Sequence, residues 1–396
     1  MPGIALTMIS IQSIETILLD LPMIRPHLLA MTVMHKRTLL LVRVMCSDAI
    51  EGLGEATSIG GLAYGDESPE GVKLCIDSFI TPAILGIEAT NINAAMELIG
   101  RVVQGNPFAK AAIETALLDA HGKRRAVSVS ELLGGAVRST LPVLWTLASG
   151  DTQRDIDEAE QMLELRRHRV FKLKVGRKSA KEDLAHVLSI KRALGERAGV
   201  TVDVNQQWDE AQAARSIATL EEAGIDLIEQ PIAKHNRAGM ARLAARFIVP
   251  LMADEALYGP EDAFDLARRA AADVFALKVV KSGGLHATRR TAAVADAAGV
   301  SLYGGTMLEG TIGTLAAAHC YSTLPHLQWG SELFGPLLLG ADIVATPLRY
   351  QDFELHLPSG PGLGVELDED KVGFYRRDRG DVPHSTSSRG PHVVPR

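Results

Sequence analysis

From about Leu141 onward, short apolar runs return at a nearly fixed interval, and most carry a polar or charged residue at or near their end. The runs are PVLWT, VFKLKVG, VTVDVN, IDLIEQP, VPLMADE, VFALKVV, VSLYGG and LQWGSEL. Lys174 to Asp203 is 29 positions, Asp203 to Glu229 is 26, and Glu229 to Asp254 is 25. Asp254 to Lys278 is 24, Lys278 to Gly304 is 26, and Gly304 to Glu332 is 28. A strand, a loop, a helix and a return loop fill about that length. Parallel strands need such crossovers, and amphipathic stretches such as EAQAARSIATLEEAG supply them. Eight evenly spaced units favour closure into an α/β barrel over an open doubly wound sheet.

The chain before this repeat has a different texture. Residues from about 8 to 56 read as extended segments, with IETILLDLP and TLLLVRV as their apolar runs. GLGEAT, near Gly52, lacks the full glycine pattern of a nucleotide loop and reads as a turn or bulge between strands. SIGGLAYGDES, Ser58 to Ser68, reads as a mobile loop. Helical periodicity then dominates, as in AKAAIETALLDAHGKR. Strands followed by helices describe an α+β domain over residues 1–137, ahead of a barrel over 138–345. Residues 346–379 are expected to pack back onto the first domain. Residues 380–396 are polar, aperiodic and proline-containing, and are expected to form a disordered tail.

Composition narrows the function classes. The net charge of −7 offers no basic surface for nucleic acid. Cys46, Cys75 and Cys320 are odd in number and far apart, which gives neither a disulfide framework nor a zinc pattern. No run of 18 apolar residues occurs and no signal peptide is evident, so a cytoplasmic, soluble protein is expected.

Catalytic groups in βα-barrels sit at the carboxyl ends of strands. Three consecutive units end in Asp203, Glu229 and Asp254. Three carboxylates directed at one point repel each other unless a cation lies between them. Oxygen-only ligation suits Mg²⁺ or Mn²⁺ better than zinc. Beside them, Lys172 and Lys174 are two apart in FKLKV, so strand alternation points both into the barrel. Repulsion, burial and a metal charge are expected to push one lysine of the pair toward neutrality, where it serves as a general acid or base. Lys278 stands across the barrel in FALKV. The chemistry these groups suit is proton transfer at a carbon next to a carboxylate.

The strings FKLKVG, VDVNQQWDE, DLIEQPI, MADE, FALKVVKSGG, YGGTMLEGTIGTLA and SELFGPLLLG together resemble the muconate-lactonising subgroup of the enolase superfamily, over about residues 8 to 378. The resemblance implies a (β/α)7β barrel of TIM type under an N-terminal α+β capping domain. It implies metal ligation by Asp203, Glu229 and Asp254, with Asn205 nearby. Lys174 would be the acid/base, Lys172 its electrostatic support, Lys278 a cation on the opposite face, and Glu332 a wall of the site. Ile59, Tyr64 and Phe334 would shape specificity, together with capping loops around Pro26 to His35. The implied reaction interconverts cis,cis-muconate and muconolactone through an enolate-like species, in the breakdown of aromatic compounds. Manganese, a dicarboxylate substrate and a homo-octamer follow from the same resemblance. Chloromuconate cycloisomerase, dipeptide epimerase and o-succinylbenzoate synthase use a similar site and are the competing readings.

Overall fold

A computed structural model describes residues 8–378. The expected tail at 380–396 lies outside them. The chain opens with an antiparallel sheet of β1 (Ile11–Leu28), β2 (Val33–Cys46) and β3 (Glu51–Ala56), in that order. Alternation builds one buried face: Ile17, Leu19 and Leu21 of β1 pair with Leu41, Leu39 and Arg37 of β2, all buried. The ladder breaks between Pro22 and His27, where two prolines remove backbone donors, and resumes with His27 opposite Met34.

GLGEAT is not a turn. Its first five-sixths belong to β3, which pairs with β2 from Leu40↔Ala56 to Met45↔Glu51. The glycines are there because the helix Pro107–Arg125 lies almost in contact with the strand backbone. A Cβ on Gly52 would stand 1.9 Å from Ala116 O, and one on Gly54 would stand 2.0 Å from Ala112 O. Close approach, rather than chain reversal, explains them.

The repeat forms a seven-stranded parallel sheet: β5 (Trp145–Leu147), β6 (Val170–Lys174), β7 (Gly199–Asp203), β8 (Leu227–Glu229), β9 (Leu251–Ala253), β10 (Val274–Leu277) and β11 (Ser301–Gly304). The short β4 (Thr140–Pro142) precedes it. The expected eighth strand, LQWGSEL, is reduced to a single bridging residue. Ser331 pairs with Gly304 on one side and Val143 on the other. Four backbone bonds close the ring: Gly304 N to Gly330 O at 2.9 Å, Glu332 N to Gly304 O at 2.9 Å, Ser331 N to Pro142 O at 2.8 Å and Leu144 N to Ser331 O at 2.9 Å. Gly330, at φ +63, turns the chain into this position, and a 3₁₀ turn at Gly335–Leu338 leads it out. The architecture is therefore a (β/α)7β barrel.

The crossover helices are set by local signals. Glu210–Glu222 starts where Asp209 accepts from Gln212 N, and buries Ala213, Ile217 and Leu220 at helical spacing. Ala180–Leu194 begins with a capping box between Ser179 and Glu182. After the barrel, β12 (Tyr350–Gln351) and β13 (Glu354–His356) form a hairpin whose second strand pairs with β4. The chain then runs beside the first helix-rich segment, with Gly362 N bonded to Val127 O at 2.8 Å and Leu363 N to Asp119 Oδ1 at 2.7 Å. All three cysteines are free and buried. Among the described residues, no helix is long and apolar enough to cross a membrane.

Candidate active site

Parallel pairing brings the strand-end charges to one level. Lys174 is opposite Asp203 across β6 and β7, and Asp203 is opposite Glu229 across β7 and β8. Asp254 follows β9 by one residue, Lys278 follows β10 by one, and Glu332 follows the bridging Ser331. Lys174, Asp203, Asn205, Glu229, Asp254, Lys278 and Glu332 line one cavity with Ile59, Tyr64 and Phe334. Lys172 reaches the same cluster from below through its ion pairs.

Each carboxylate leans on a lysine. Lys174 pairs with Asp203. Lys172 Nζ is 2.5 Å from Glu229 Oε2 and 2.5 Å from Glu332 Oε2. Lys278 Nζ is 2.8 Å from Asp254 Oδ2, and Lys281 Nζ is 3.0 Å from Asp254 Oδ1. The three acids do not converge as they stand: among the described residues, no group of three acidic, histidine or cysteine side chains is close enough to hold a metal ion.

The residues nonetheless fit an oxygen-ligated divalent cation. Asp203, Glu229 and Asp254 are all buried, and neither carboxylate oxygen of Glu229 accepts a hydrogen bond. The Lys172 contact is close to Glu229 Oε2 in distance but not in hydrogen-bonding angle, so it offsets charge without satisfying the oxygen. A buried carboxylate left in that state is costly unless a cation takes it up.

Of the two lysines in FKLKV, Lys172 is held charged. Burial lowers its pKa, but attraction to Glu229 and Glu332 outweighs burial and holds it well above the usual lysine range. Lys278 is likewise held up: burial opposes, and Asp254 and Glu332 prevail. The carboxylates are driven apart. Burial and then Asp203 push Glu229 well above the usual range, whereas Lys278 and Lys281 overcome burial and hold Asp254 well below it.

Tyr64 does more than wall the cavity. Its hydroxyl donates to Asp254 Oδ2 at 2.7 Å and accepts from Lys278 Nζ at 3.0 Å. Asn205, at φ +45, directs Nδ2 to Glu255 Oε1 at 3.1 Å, and its Oδ1 is 3.5 Å from Lys174 Nζ. Phe334 is buried and rests on Trp145, with ring centroids 5.1 Å apart.

Four further residues contribute, one of them, His27, within the Pro26 to His35 segment expected to shape specificity. Lys281 is brought back to Asp254 by the short helix Val279–Ser282, and its spacing of three from Lys278 was the available signal. Glu255 adjoins Asp254, and burial pushes its carboxyl up to about 7. His27 lines the cavity from β1. Arg37 is buried in β2 and donates Nε to Leu308 O at 2.8 Å and Nη1 to Ser58 O at 2.7 Å. It thereby ties the glycine-rich loop to the barrel loop that carries Leu308; nothing in its sequence context marks it. A larger cavity, of about 220 Å³, lies behind Trp145, where Arg25 and Glu158 are spent on each other at 2.8 Å. It holds none of the strand-end groups.

Two family models match the chain. One, described as enolase C-terminal domain-like, covers residues 154–371, and the N-terminal domain of mandelate racemase / muconate lactonizing enzyme covers 13–134. Muconate cycloisomerase 1 of Pseudomonas putida is 59% identical over 94% of this chain and 100% of its own length. A chloromuconate cycloisomerase of Pseudomonas sp. (strain P51) is 47% identical over 93% and 99%. The structure of muconate lactonizing enzyme from Pseudomonas fluorescens complexed with muconolactone superposes with a TM-score of 0.92 at 61% identity, covering 93% of this chain and 99% of that one. With the same barrel, the same cap and near full-length identity, the chain belongs to the mandelate racemase / muconate lactonizing enzyme family, in its muconate cycloisomerase group.

Proposed function

We propose that this enzyme is a muconate cycloisomerase whose proton donor and acceptor is Lys174. The observation that carries the reading is the single cavity in which Lys174, the three strand-end carboxylates and the Ile59, Tyr64 and Phe334 walls meet. Asp203, Glu229 and Asp254 would hold a divalent cation, Mn²⁺ with Mg²⁺ as a substitute, with Asn205 beside them. When bound, that cation supplies positive charge against the negative charge that grows on the substrate carboxylate during reaction.

The chain's own residues do the rest. Ile59, Phe334 and Leu308 hold the diacid curled, so that one carboxylate oxygen lies over the far double bond and the attack is intramolecular. As that carbon–oxygen bond forms, the π electrons move to the carbon next to the other carboxylate. Lys174, half-buried at the end of β6, delivers the proton there. Lys172 is held protonated by Glu229 and Glu332, so it lends charge and keeps its own proton. Lys278, clamped to Asp254 and Tyr64, does the same from the opposite face.

Family resemblance also supports a homo-octamer in the cytoplasm acting in aromatic catabolism, with residues 1–137 capping a barrel of 138–345 and residues 346–379 returning to the cap. Loss of cis,cis-muconate ultraviolet absorbance tests the activity. Purified enzyme with Mn²⁺ is expected to consume muconate rapidly, and chelation is expected to stop it. No decay with metal demonstrably bound contradicts the reading; decay of a chlorinated muconate alone would favour the chloromuconate branch.

A further inference from the structure

We propose that His27 is a substrate-binding residue, its imidazole donating a hydrogen bond to the carboxylate of the diacid that lies away from Asp203, Glu229 and Asp254. The inference rests on the function proposed above and assigns one end of that substrate.

The path of β1 puts His27 there. After the break at Pro22, the strand leans over the mouth of the barrel: Arg25 Nη2 donates to Thr146 O at 3.2 Å and Leu28 N to Ala148 O at 3.3 Å. Pairing resumes with His27 opposite Met34, which fixes the face its ring presents. The ring enters the cavity that Lys174, Asp203, Glu229 and Asp254 also line.

The ring is almost wholly buried, at 1% exposure, and its Nδ1 has no hydrogen-bond partner. Buried polar atoms are nearly always satisfied, and an unpaired one on a ring that lines a cavity marks a place for a ligand group. The charge around it names the ligand. Burial, the larger effect, and then Arg25, Lys174 and Arg37 hold the imidazole well below the usual histidine range. Arg25 is paired with Glu158 and Lys174 with Asp203, which leaves Arg37 as the cation without a carboxylate partner among the described residues. A neutral imidazole carries one N–H donor, and a carboxylate brought against it sets the tautomer that points that donor inward. A carboxylate is favoured at this end for the same reason that the acids cluster at the other.

The consequence for the reaction is specific. With one oxygen of the remote carboxylate held by His27, the other is the oxygen free to attack. The held oxygen becomes the carbonyl oxygen of the lactone. His27 keeps its proton throughout, because the only proton gained by carbon comes from Lys174.

Two variants and one spectrum test this on the full-length, Mg²⁺-loaded enzyme. His27→Leu is expected to raise KM for cis,cis-muconate and Kd for muconolactone by about 10–100-fold, the range for a hydrogen bond to a charged group. His27→Gln retains a donor and is expected to recover most of that loss. In ¹⁵N-histidine spectra of the unsubstituted enzyme, one imidazole signal, missing from His27→Gln, is expected to shift as muconolactone is added. An unshifted His27 signal overturns the proposal even if His27→Leu does not fold. So does a His27→Leu enzyme that binds muconolactone as tightly as the parent. Failure of the parent enzyme to turn over muconate at all would instead remove the function on which the inference rests.

Discussion

Lys174→Ala is expected to lower kcat on cis,cis-muconate by on the order of 10²–10⁴, the contribution of a positioned general acid or base. The position is favourable for a clean result. Lys174 ends β6 and lines the active-site cavity, so its truncation widens that cavity rather than the apolar core. Its ion-pair partner Asp203 retains a backbone donor, Asn205 N at 2.9 Å. Thermal unfolding should therefore change little while turnover collapses. Lys172→Ala would be a poorer test, because its loss leaves Glu229 and Glu332 without their buried counter-charge. If Lys174→Ala keeps parental turnover, Lys174 is not the proton donor.

Glu229→Gln is expected to weaken divalent-metal affinity by at least the 10–100-fold that loss of an outer-shell partner produces. Both Glu229 oxygens are buried and accept no hydrogen bond, and burial already pushes its carboxyl well above the usual range. Glutamine matches its shape and removes the charge, so folding should survive. The same substitution should erase part of the metal-induced rise in Tm, since a ligand stabilises the folded state by an amount that grows with the logarithm of its affinity. Mn²⁺ titration followed by calorimetry reads both effects. Unchanged affinity would remove Glu229 from the ligand set.

Spacing carried most of the architecture. Equal intervals between charged strand ends encode the βα unit, and in-register parallel pairing turns those intervals into the adjacency of Lys174, Asp203 and Glu229. What spacing does not encode is approach between distant segments. Gly52 and Gly54 looked like turn residues because the helix that presses on them lies some 60 positions onward. The eighth strand shrinks to Ser331 because closure needs only one residue bonded on both sides. The counter-charge of Lys172 is hidden for a related reason: in sequence it has a lysine beside it, whereas in space it has Glu332, 160 positions away. Arg37 comes from the cap, where strand patterning reads it as an ordinary position of a half-buried sheet, and His27 was marked only as part of the Pro26 to His35 segment.

The most direct test of the central claim is the position of deuterium in muconolactone made from cis,cis-muconate in ²H₂O. One deuterium on a single face of the carbon next to the free carboxylate is predicted, with its delivery abolished by Lys174→Ala. Label spread over both faces, or undiminished labelling by Lys174→Ala, would contradict proton transfer from Lys174.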